Sequence, residues 1–88
     1  MEGMKFRKRP IVIEALQFVG GHVSMLECAT FIGEAARINY DNATLSIQTL
    51  EGLMRVDAFD WVIRGVKDEH YPCKPGIFSA TYEPVDEG

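Results

Sequence analysis

Sulfur, histidine and positive charge are all scarce in this chain, and each scarcity removes a class of function. Cys28 and Cys73 are the only cysteines and His22 and His70 the only histidines. Their spacing contains neither a C-x-x-C nor an H-x-x-x-H unit, which argues against a structural zinc site. No apolar run approaches the roughly 20 residues that a membrane helix needs, and no charged-then-apolar leader opens the chain. A cytoplasmic protein with two reduced thiols and no membrane partner is the expectation. Nine basic residues stand against 13 acidic ones, for a net charge of −4. Duplex nucleic acid, which demands a broad basic face, is disfavoured as a partner. There is also no glycine-rich phosphate loop, Ser-His-Asp order or metalloprotease motif. No cofactor is called for, and an enzyme is the least favoured reading.

What is present fits a small globular unit. An apolar fraction of 47% with 25% charged residues is incompatible with wholesale disorder. The 88 residues suit one domain spanning 1–88. At that size folding buries only about 60–65% of the chain's surface. A sizeable pocket forms more easily between subunits than inside one, so a homo-oligomer is expected.

Ile11-Val-Ile-Glu-Ala-Leu-Gln-Phe18 reads as a strand ending at Gly20-Gly21, with Pro10 marking its start, a bulge or an edge. Ser24-Met-Leu-Glu27 has the form of a capping box, predicting a helix that starts there and stops at Gly33. Met25, Cys28, Ala29 and Ile32 form its buried stripe, widened by Leu26 and Phe31. Arg37–Tyr40 and Thr44–Leu50 look like strands joined by Asp41-Asn42, and Glu51-Gly52 turns the chain into Leu53–Val56. Asp57–Asp60 is a polar turn before Trp61–Val66, and Lys67-Asp-Glu69 leads to His70-Tyr71-Pro72. Pro75 suits the first turn of a short helix, Lys74–Ala80, with Phe78 and Tyr82 returning their rings to the sheet. The fold class is therefore α+β: a small, mostly antiparallel meander of five or six strands with one central helix and a short C-terminal helix.

Three segments together carry a resemblance. Lys5-Phe-Arg-Lys-Arg-Pro-Ile-Val-Ile-Glu-Ala-Leu-Gln-Phe18, Leu50-Glu-Gly-Leu-Met-Arg-Val56, and Asp60-Trp-Val-Ile-Arg-Gly-Val-Lys67 with the following Tyr71-Pro-Cys-Lys-Pro75, Ile77-Phe78 and Thr81-Tyr-Glu83 resemble a family of small bacteriophage and prophage proteins. Members of that family often have Gly where this chain has Phe59 or Asp68, and an acidic residue where it has Gly76. More loosely, the strand, aromatic hairpin and Pro-Lys corner are similar to the core of phage sponge proteins that sequester nucleotide immune signals. That similarity implies an infected bacterial host as the setting.

Four of the nine basic residues fall within positions 5–9, and Lys5, Arg7 and Arg9 alternate as they would on one side of an extended segment. Such a fan can hold phosphates, particularly if Arg64, Lys67 or Lys74 joins it, because guanidinium groups grip phosphate oxygens in pairs. It can equally be an edge strand's protection against aggregation. Trp61, Tyr71, Phe78 and Tyr82 offer a stacking platform for a base, although rings in so small a domain are also the readiest core material. Trp61 and Phe78 are expected in the core. Cys73 beside Lys74 and a helix start has the surroundings of an activated thiol, but lacks an evident base, and Asp57, Asp60, Asp68 and Glu69 read as solvated turn residues.

The resulting expectation is a non-catalytic, oligomeric binding protein that sequesters an anionic, nucleotide-like immune signal. Arg7, Arg9, Arg64, Tyr71, Lys74 and Tyr82 are its candidate ligand-binding residues. The alternative is a phage accessory module that binds or inhibits a host protein.

Overall fold

Glycine starts the long helix. Gly20, at φ 91°, caps α1 (Gly21–Ile32), and Gly33, at φ 82°, ends it with its N–H donating to the Ala29 carbonyl. These facts come from a computed structural model that describes residues 2–7 and 9–85. The helix begins one turn earlier than the Ser24–Glu27 pattern predicts, because the buried Ser24 hydroxyl accepts the Val19 N–H at 2.9 Å. The serine ties the helix to the preceding strand instead of closing a box with Glu27.

That strand, β1 (Glu14–Gln17), is shorter than expected. Its ladder partner is β5 (Trp61–Arg64), paired antiparallel from Glu14 with Arg64 to Gln17 with Trp61. Beyond Arg64 the partner turns away, with the Gly65 N–H donating to the Glu69 carbonyl at 2.7 Å. Ile11–Ile13 therefore have no strand to extend along. β6 (His70–Cys73) completes this sheet on the far side of β5, in the order β1-β5-β6.

A second antiparallel sheet is built from β2 (Ala36–Asn39), β3 (Thr44–Thr49) and β4 (Gly52–Val56), in chain order. Among the described residues the structure is thus α+β with six strands, divided between two sheets where the sequence reading has one meander. The division occurs at Asp57–Asp60. Asp60, only 2% exposed, accepts the Asp57 N–H on its carboxylate at 2.9 Å and returns its own N–H to the Asp57 carbonyl at 3.0 Å. Its carbonyl accepts from Phe18 N–H, and Phe59 N–H donates to the Phe18 carbonyl. The corner delivers β5 to β1 rather than to β4, and Asp60 is a buried turn residue, not a solvated one.

One face of α1 fills the space between the sheets. Met25, Cys28 and Ile32 pack with Leu45, Ile47, Val56, Val62 and Phe18, while Ala29 and Phe31 lie at the margin. Leu26, expected in the stripe, is exposed. α2 (Pro75–Thr81) follows β6 directly, with Pro75 in its first turn.

Candidate functional site

Side chains alternate across β1, β5 and β6, so the register assigns each residue to a face. Leu16, Val62 and Pro72, with Glu14, Arg64 and His70, share the face toward α1. Ala15, Ile63 and Tyr71, with Gln17, Trp61 and Cys73, share the opposite face. There Trp61 stacks on Phe78 of α2 with centroids 4.2 Å apart and planes 6° from parallel, and Tyr82 continues the series 5.1 Å from Phe78. Both Trp61 and Phe78 are half-buried, so this stack caps the sheet instead of joining the closed core.

The segment after Arg9 and the tail after Tyr82 border two grooves on this aromatic face. One, of about 690 Å³, lies against Trp61, Phe78 and Tyr82. The other, of about 500 Å³, is lined by Arg9, Glu69, Tyr71, Tyr82 and Glu83 among others. Burial, then hydrogen bonding to Tyr82, pushes the Tyr71 hydroxyl up to about 12, so it remains a donor at neutral pH. The Glu69 carboxylate is held at the groove's edge, its Oε2 accepting the Lys67 N–H at 2.9 Å and the carboxylate lying against Gly65 where a Cβ would stand.

Of the six residues singled out from sequence, Arg9, Tyr71 and Tyr82 line this one groove. Arg7 lies exposed in the preceding segment, which is not a strand, so the alternating fan has no ladder to display it. Arg64 belongs to the α1 face. Its guanidinium meets Glu14 at 3.4 Å, the Phe31 carbonyl at 3.4 Å and the Phe31 ring at 5.1 Å from the centroid. Lys74 is held by Asp57 at 2.8 Å and Asp60 at 3.0 Å. Those hydrogen bonds hold the ammonium above its ordinary pKa, and the same contact with Lys74 holds the Asp57 carboxyl below its own.

Lys74 therefore does not activate Cys73. Burial first, and then the Asp60 charge, raises the Cys73 pKa. Cys28 is a buried core thiol, also raised by burial. His22 bonds the Tyr40 carbonyl at 2.7 Å, whereas His70 packs edge-on to Phe31. Among the described residues no group of three His, Cys, Asp or Glu could hold a metal ion. No helix among them is long and apolar enough to cross a membrane.

Sequence reasoning missed Glu69 and Glu83 as groove residues. A signal existed for the first: Gly65, inside an apparent strand, marks a close approach by another group, and that group is the Glu69 carboxylate. No family model, curated protein or solved structure compared with this chain matches it.

Proposed function

We propose that this protein is a non-catalytic binding protein that captures a nucleotide-like anion in the groove between Arg9, Tyr71 and Tyr82. The convergence of those three side chains on one cavity of about 500 Å³ is the observation that supports this reading, a volume within the usual range for small-molecule sites. Each supplies a different part of the recognition. The Arg9 guanidinium presents a planar fork to phosphate oxygens. The tyrosine rings offer faces to a base, and the protonated Tyr71 hydroxyl can donate to it. Glu83 can accept from sugar hydroxyls. Retention without chemistry agrees with a Cys73 thiol whose pKa is raised. In an infected bacterial cytoplasm, such capture would withdraw a nucleotide immune signal from the host's defence, as an oligomeric sponge does.

A thermal-shift panel of cyclic and ADP-ribose-type nucleotides tests the reading. A binding nucleotide raises the unfolding temperature, is recovered unaltered on denaturation, and loses its effect in Arg9→Ala. Arg64→Ala, on the other face, leaves the affinity unchanged. A chemically altered product would make the protein an enzyme, and no shift with any nucleotide would sink the assignment. The exposed Leu50 and Leu53 favour a second reading, a module that binds a host protein. That reading predicts a stable protein complex and no small-molecule shift.

A further inference from the structure

Tyr71 also borders a third groove, of about 650 Å³, that Arg9 does not line. Leu50, Met54 and Pro72 contribute apolar groups to its lining, and Glu51, Asp68 and Glu69 contribute acidic ones. None of these carboxylates takes part in an ion pair among the described residues, where the four pairs all involve Arg55, Arg64 or Lys74. The groove therefore combines an apolar lining with negative charge.

The N-terminal arm has the opposite character. Lys5 and Arg7 alternate with Met4 and Phe6, and neither cation is in an ion pair among the described residues. Met4 is 79% and Phe6 86% exposed, so the arm does not enter the groove of its own chain. The molecule measures 57 × 35 × 22 Å with a radius of gyration of 15.1 Å, against about 12 Å for a compact chain of this length. Six extended residues reach about 20 Å, enough to lie across a neighbour.

We propose that the arm of one copy docks in the acidic groove of a second copy, Phe6 against Leu50, Met54 and Pro72 and Lys5 and Arg7 against the carboxylates. Every chain carries both an arm and a groove, so a two-fold axis satisfies both at once. The contact is electrostatically matched and at the small end of specific interfaces, which makes the dimer sensitive to salt. It shares only Glu69 and Tyr71 with the nucleotide groove.

Two charge-altered variants test it without touching Arg9, Tyr71 or Tyr82. The first is Lys5→Glu with Arg7→Glu. The second is Glu51→Lys with Asp68→Asn, asparagine being chosen because residue 68 has φ 61° and Asn tolerates that conformation. Native mass spectrometry and light scattering should find a wild-type dimer at low salt that dissociates as salt rises. Each variant alone should be monomeric, the first by repulsion and the second because its groove carries no net charge from residues 51, 68 and 69. Their equimolar mixture should form a heterodimer, since the unaltered arm of the second variant meets the unaltered acidic groove of the first. Phe6→Ser, which leaves all charges in place, should weaken the wild-type dimer by about tenfold or more. A wild-type monomer throughout, variants that dimerise like wild type, or a mixture that stays monomeric would each overturn the proposal.

Discussion

The two faces of the β1-β5-β6 sheet are covered in different ways. Toward α1, Val62 is sealed in the core, and the polar groups at the margin are engaged with one another: Arg64 with Glu14, His70 and the Phe31 carbonyl. Toward α2, Ile63 is buried but the rings above it are half-buried, and grooves remain beside them. The first face uses its functional groups to hold the fold. The second leaves some of them available to a ligand, so stability and binding can be perturbed separately.

The largest test of that contrast is truncation on each side. Met25 is completely buried against the α1 face, and Met25→Ala is expected to cost about 2–5 kcal/mol. Phe78→Ala should cost less, on the order of 1–2 kcal/mol, because the stack with Trp61 is only half removed from water. Urea unfolding measures both, and equal losses would break the distinction.

Smaller effects come from pH, and they fall at opposite ends of the scale. Burial first, then the Arg64 charge, lowers the His70 pKa below 6.5. Above that pH the folded and unfolded states are both neutral at this residue. As pH falls through 6.5 the unfolded chain takes up the proton first, and stability declines until the folded-state pKa is passed. Tyr71 behaves conversely, with a pKa raised from 10.0 to about 12. Both states are protonated below pH 10, and above it the unfolded chain ionises first, so stability falls between the two values. Unfolding midpoints measured across pH should therefore show an acid limb that flattens in His70→Asn and an alkaline limb that flattens in Tyr71→Phe.

Local signals made much of the fold legible. The stripe of Met25, Cys28 and Ile32, the turns near Asp41 and Glu51, and Pro75 before Phe78 all act within a few residues of themselves. The boundaries moved where a distant partner decided them. Ser24 serves Val19 rather than Glu27, and β1 begins only at Glu14, opposite Arg64, where β5, some fifty positions away, ends. The same reasoning explains the candidate site. Arg9, Tyr71 and Tyr82 share a groove, whereas Arg64 and Lys74 found carboxylates on other segments, at Glu14, Asp57 and Asp60. A list of cations does not reveal which ones the fold will neutralise.

Phe59, in the corner that joins the two sheets, has φ 73° and is 57% exposed. A bulky residue in that conformation is strained, and so open a ring gains little from burial in compensation. Both backbone hydrogen bonds at this residue, from its N–H to Phe18 and to its carbonyl from Gln17, would survive without any side chain. Glycine here would relax the turn while keeping its wiring, and Phe59→Gly is expected to raise the unfolding midpoint by a few degrees in a thermal melt, the strain relieved exceeding the cost of glycine's greater unfolded-state freedom. The corner is thus under mechanical tension built into the chain's own backbone: the joint that separates the sheets is also the place where a smaller residue can make the molecule sturdier.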